Sequence, residues 1–164
     1  MTYIIRDYRH PEDASALLKI SNTWQTPPLT LEQFLEREDQ RPVDEFPLER
    51  FVLETNGVIC GYAQVIPHGF VPPKWAGAGV MVHPVERKKG YGQILWQQLE
   101  QRLSKHSLQG LESYIRDDDP ASRAWAEARG FEYYANRFAS VLNLEAFDEN
   151  RFAGHSDRVK ASGI

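Results

Sequence analysis

Several absences narrow the chain before any motif is read. A single cysteine, Cys60, leaves no intramolecular disulfide and no multi-cysteine zinc cluster. The five histidines (His10, His68, His83, His106 and His155) include no pair four residues apart, so no helical metal-binding pair is present and no metal is expected. The longest uncharged run, Val58 to Pro73, is interrupted by Gly61, Pro67, His68 and Gly69 and cannot form the ~20-residue apolar helix that spans a bilayer. The N-terminus is charged by Arg6 and carries no signal-peptide core. No membrane partner is therefore expected, and the cytoplasm is the expected compartment. Positive charge is not in excess either: 23 acidic side chains against 19 Lys and Arg give −4, which argues against a general nucleic-acid binder.

What is there suits one domain. A chain of 164 residues can bury roughly 70% of its unfolded surface without staples. Tyr3 to Arg9 alternate as a half-buried strand, and Pro11 opens a helix with Ala14, Leu17, Leu18 and Ser21 at helical spacing. Pro27 and Pro28 break it. Thr30 with Gln33 three residues on forms a capping-box pattern for a second helix. From Arg50 the period becomes two, and Asn56-Gly57 between apolar runs predicts a tight hairpin. Trp75 to His83 reads as a strand in which Gly77 and Gly79 suggest a bulge or close backbone approach. Gly90 to Lys105 is the strongest helix, followed by a strand at Gly110 to Arg116 and a helix from Pro120 closed by Gly130. Phe131 to Leu144 reads as two short strands, and Phe152 and Val159 suggest a final helix. This order predicts an α/β (α+β) sandwich, with residues 1–146 as the domain and 147–164 as a helix or linker tail.

Charge is uneven along the chain. Between Thr30 and Arg50 seven acids face three arginines, whereas Arg87, Lys88 and Lys89 form a compact basic turn. That turn lies between a strand and a helix, in Val80-Met81-Val82-His83-Pro84-Val85-Glu86-Arg87-Lys88-Lys89-Gly90-Tyr91-Gly92. Such a junction leaves backbone amides unpaired at the positive end of the helix dipole, and glycine lets the backbone approach a ligand. It is a site for a diphosphate. A Walker loop is excluded because no Gly-Lys-Ser/Thr follows, and a dinucleotide turn is excluded because position 95 is Leu.

The pattern Arg-x-x-Gly-x-Gly at 87–92, after Val-x-Val and Pro and before an amphipathic helix, resembles the acetyl-CoA signature of the GNAT superfamily of N-acetyltransferases. The segment Ala121 to Phe131, ending Arg129-Gly130-Phe131, is similar to that family's helix ending in Gly-Phe. The likeness covers residues 3–144. It implies a mixed, mostly antiparallel sheet of six to seven strands with helices on both faces, splayed at the strand ending near Val82. It also implies acetyl-CoA as co-substrate, held by the backbone of Val80, Met81 and Val82, by Arg87, Lys88, Lys89, Gly90, Tyr91 and Gly92, and by Ser122 and Trp125. The implied reaction is direct attack of a primary amine, borne by a small molecule or peptide, on the thioester.

The family's usual acid is a tyrosine four residues before the helix-ending glycine, and that position is Ala126. Tyr133, Tyr134, Ser122, water or unassisted departure of the thiolate are the alternatives. For a base the candidates are Glu54, His83 and His68. Trp24, Phe34, Phe70, Trp75 and Tyr134 are candidates for the acceptor cleft, and the acidic Thr30 to Arg50 segment favours a cationic acceptor. Lacking the usual acid and base, the chain also fits a non-catalytic acyl-CoA-binding or regulatory module, as half of a tandem arrangement, and a homodimer or a second domain of the same kind is the expected protein partner. A plain interaction domain whose basic turn binds an anionic partner is the third reading.

Overall fold

A computed structural model describes residues 2–40, 49–66, 72, 74–137 and 142–163. The elements are β1 (Ile4–Asp7), α1 (Ala14–Ser21), α2 (Leu31–Asp39), β2 (Glu49–Thr55), β3 (Val58–Ile66), β4 (Trp75–Val82), α3 (Tyr91–Leu103), β5 (Gly110–Glu112), α4 (Pro120–Glu127) and α5 (His155–Ala161). Two compact units divide within α4, one ending at Ala124 and the other running from Trp125 to Ile164. No helix among the described residues is long and apolar enough to cross a membrane.

The first unit holds one sheet in the order β1-β2-β3-β4-β5, antiparallel except for the last pair. Asn56 and Gly57 adopt φ of 50° and 76°, the left-handed pair that a two-residue hairpin between β2 and β3 requires. Alternation along β2 sorts its side chains to two faces. Val52 and its partner Tyr62 join Ala14, Leu17, Ile20 and Phe34 under α1 and α2. Phe51, Leu53, Ala63 and Val65 turn to the opposite face, where α3 supplies Leu95 and Leu99. Each of the larger side chains so buried contributes about 1.5–3 kcal/mol.

Local signals explain where helices start. The Thr30 hydroxyl accepts from the Gln33 N–H at 3.2 Å while the Gln33 side chain accepts from the Thr30 N–H at 3.0 Å, completing the capping box. Gly61 explains how closely α3 approaches, since a β-carbon there would meet Met81 O at 2.7 Å and Leu95 at 3.1 Å.

Three expectations change. The bulge lies between Leu53 and Glu54 of β2, and β4 keeps unbroken register against β3 through Gly77 and Gly79. The sheet has five strands among the described residues rather than six or seven. Residues 131–137 and 142–144 form no strand, and 138–141 lie outside the described residues. Tyr133 and Tyr134 are 66% and 84% exposed, so neither side chain is buried against a core that would hold a strand there. The tail carries two 3-10 turns, Leu144–Ala146 and Glu149–Phe152, before α5.

Candidate functional site

β5 borders β4 only at its start. Trp75, Ala76 and Gly77 pair with Gly110, Leu111 and Glu112 of β5, whereas Ala78 to Val82 keep β3 alone among the described residues. The His83 N–H donates to the Cys60 carbonyl at 2.9 Å on the β3 side. Backbone direction alternates along a strand, so the N–H groups of Gly79 and Met81 also face β3, and those of Val80 and Val82 face the edge that β5 has left.

That edge leads into the basic turn. After a 3-10 turn at Pro84–Glu86 the chain takes φ of 63° at Lys88 and 85° at Gly90. A left-handed lysine costs about 1 kcal/mol, a cost that persists where a site needs the geometry. Gly90 precedes α3, its carbonyl accepts from Gln93 and Ile94 at 3.0 and 3.2 Å, and a β-carbon on it would meet nothing within 4 Å. The N–H groups of Lys88, Lys89, Gly90 and Gly92 have no acceptor among the described residues. With the dipole of α3 behind them, they are donors for an anion. Tyr91 is buried at the head of the helix.

The three cations behave differently. Lys89 Nζ pairs with Glu86 at 2.8 Å, and this hydrogen bond raises the lysine above its ordinary pKa. Lys88 has no carboxylate partner among the described residues. Arg87 turns back onto the protein: its Nε donates to the Val82 carbonyl at 3.3 Å, and Nη1 lies 3.6 Å from Asp119 Oδ2. Asp119 caps α4, accepting from the Ser122 N–H at 3.0 Å and the Ser122 hydroxyl at 2.7 Å. These bonds hold its carboxyl below the usual aspartate range. Sequence reasoning passed over Asp119, although an acid directly before Pro120 is a helix-start signal.

At the other side of β4's open stretch, Met81 Sδ accepts from Tyr62 OH at 2.7 Å and from Trp24 Nε1 at 3.1 Å. The Trp24 carbonyl accepts from Arg116 Nη1 at 2.9 Å. The loop after α1 is thus tied both to β4 and to the segment beyond β5. Of the acceptor-cleft candidates, Trp24 alone is brought beside the open stretch within the first unit's described residues. Phe34 is a core residue, 8% exposed among Leu17, Ile20 and Tyr62. Trp75 lies over Gly110, where a β-carbon would come 2.5 Å from the indole, at the end of β4 that pairs with β5. That end is about 23 Å along the strand from Val82.

The proton-transfer candidates are not gathered at this edge. Glu54 accepts from Arg6 Nε at 3.1 Å, and the same guanidinium binds Asp13 at 2.6 and 2.9 Å. β3 separates Glu54's strand from β4, about 10 Å across the sheet, so Glu54 serves a structural ion-pair network. The Ser122 hydroxyl is engaged with Asp119, as above. His83 is half-buried, and its enclosed Nδ1 has no hydrogen-bond partner among the described residues. Tyr133, Tyr134, Trp125 and Ala126 belong to the second unit, where Trp125 stacks under the Arg129 guanidinium at 3.6 Å and Ala126 is buried. His68 and Phe70 lie outside the described residues.

Residues 12–131 match the model of the acetyltransferase (GNAT) family. Among solved structures, the chain is similar to an N-acetyltransferase from Staphylococcus aureus Mu50, with a TM-score of 0.68 and 21% identity over 82% of this chain and 86% of that one. It is similar to a ribosomal-protein-alanine N-acetyltransferase from Brucella melitensis, with a TM-score of 0.65 and 25% identity over 79% and 84% of the two chains. A chain from Salmonella typhimurium, solved with its cofactor acetyl-CoA, superposes with a TM-score of 0.66 at 21% identity, covering 80% of each chain. No curated protein matches the sequence significantly.

Proposed function

Because the chain belongs to the acetyltransferase (GNAT) family and is therefore an acyltransferase, we propose that it moves an acetyl group from acetyl-CoA to a primary amine by direct attack. One observation carries the reading: the open edge of β4 from Ala78 to Val82 runs into the unpartnered amides of Lys88, Lys89, Gly90 and Gly92. A diphosphate on those amides and on Lys88 would lay the thioester arm along the open edge. There the Val80 and Val82 N–H groups donate to the carbonyl where negative charge develops. A neutral amine attacks the carbonyl carbon, the N–C bond forms as the C–S bond breaks, and the proton shed by the nitrogen goes to the departing thiolate directly or through water. The acceptor enters past Trp24, and the acids of α2 suit one that carries positive charge elsewhere.

Gly90→Asp tests this reading. Its β-carbon has open space and its φ of 85° strains a side chain by only about 1 kcal/mol, but its carboxylate would face the diphosphate, so acetyl-CoA affinity is expected to fall more than a hundredfold while folding survives. Calorimetric titration measures the affinity, and thiol release over a panel of amines measures turnover. Wild-type affinity in the variant would refute the site. Binding by the wild type with no thiol release over the panel favours the second reading, a non-catalytic acyl-CoA module. That reading is supported by the commitment of Glu54 to Arg6 and of Ser122 to Asp119.

A further inference from the structure

We propose that Arg87 is a positioning residue for the acyl-CoA cleft, acting through the Val82 carbonyl and the Asp119 carboxylate rather than on the diphosphate. The inference rests on the acyl-CoA reading and gives one of its basic residues a different task. The Val82 carbonyl faces the open edge, as its N–H does, and Arg87 Nε takes it at 3.3 Å. The Val80 and Val82 N–H groups are then left as donors for a thioester carbonyl, with the Val80 carbonyl open as an acceptor for the ligand arm.

The second contact, 3.6 Å from Nη1 to Asp119, joins the end of β4 to the first turn of α4. No strand ladder crosses between them, because the pairing of β4 with β5 ends at Gly77 and Glu112. Where a sheet is left open, its two walls need another tie. A guanidinium provides it because it carries donors on separate nitrogens in a fixed plane, whereas a lysine has one ammonium and no fork. The side chains of Arg87 and Asp119 are 46% and 28% exposed, so this pair contributes little to folding and its effect falls on the cleft.

The test uses Arg87→Lys, which keeps the charge, and Asp119→Asn, which keeps a good helix cap. Thermal melting of both is expected to match the wild type. Each is expected to weaken acetyl-CoA up to about fivefold, the upper end for one exposed ion pair. The double variant should be no weaker than either single one, because both remove the same tie. S-acetylpantetheine, which lacks the diphosphate, should lose affinity in both variants by the same factor, measured by competition. If Arg87 instead neutralises phosphate, Arg87→Lys keeps acetyl-CoA affinity, Asp119→Asn leaves it equal or tighter, and S-acetylpantetheine binding is unchanged; any of these overturns the proposal. Wild-type protein that binds acetyl-CoA while both variants behave normally sinks the tie alone, whereas wild-type protein that does not bind acetyl-CoA sinks the acyl-CoA reading with it.

Discussion

The two halves of β4 share a backbone and differ in what borders them. From Trp75 to Gly77 β5 lies alongside, Gly77 is paired with β3 as well, and Ala76 is fully buried. From Ala78 to Val82 one side is bare of strand, and Val80 to Val82 are only half-buried. In the first half β5 occupies that side. In the second, alternate donors are left over at the point where the chain enters a basic turn. An unfinished ladder normally invites aggregation, and a protein keeps one where a ligand completes it. Stability is carried elsewhere, by Phe51, Val52, Leu53, Ala63 and Val65, each fully buried between two neighbouring strands.

The sharpest way to break this comparison is to remove one donor from each edge of the same half-strand. Gly79→Pro deletes an N–H that faces β3 and should cost about 3 kcal/mol or more. Val80→Pro deletes an N–H that no strand accepts, as proline at a sheet edge does, and should cost about 1 kcal/mol. Urea unfolding separates the two, and thiol release should vanish in the stable Val80→Pro protein. Equal destabilisation by the two prolines would show that the alternation along β4 is misassigned.

Charge repeats the contrast. Arg6 ties β1 to Asp13 and Glu54 on the closed side of the sheet, while Arg87 ties the open end to Asp119. Asp13 is held below the ordinary aspartate pKa chiefly by its bonds from Arg6, and Asp119 chiefly by the Ser122 N–H. A folded pKa below the unfolded value, about 3.9, means stability that is complete above that pH and lost as pH falls through the folded value. Melting temperature should therefore decline below about pH 4. Asp13→Asn should flatten that decline more than Asp119→Asn, because the Asp13 side chain is only 8% exposed against 28% for Asp119. If Asp119→Asn flattens it more, the open end bears more of the fold than its exposure allows.

What could be read in the sequence was local. Asn56-Gly57, the Thr30 to Gln33 box and the glycine before α3 each act within four residues, and each formed as expected. What could not be read was set by partners far along the chain. Glu54 resembled a free carboxylate until Arg6, 48 residues away, claimed it. Arg87 resembled a phosphate cation until folding set Asp119 beside it. The stretch from Gly110 to Arg116 carries strand signals throughout, yet pairing with β4 stops at Glu112, and Arg116 instead reaches Trp24 and Asp118. Propensity reports what a segment tolerates, whereas the end of a ladder depends on whether a neighbour is still there.

The smallest effect comes from Lys88, where backbone and side chain pull in opposite directions. At φ 63° its β-carbon is strained by about 1 kcal/mol, and a glycine would relieve that while adding freedom to the unfolded chain. Lys88→Gly should therefore leave the protein as stable or more stable by about 0.5 kcal/mol. It also removes a cation without a carboxylate partner beside the open amides, and loss of one solvent-exposed charge contact of about 1 kcal/mol weakens acetyl-CoA roughly fivefold. Lys88→Ala loses the same affinity without relieving the strain, so comparing the two separates backbone from charge. The fivefold loss should shrink as salt rises, since screening weakens the wild-type contact. A Lys88→Gly protein that binds normally at low salt would mean that the lysine occupies a strained position without a charge to supply, and that the amides of the turn hold the diphosphate alone.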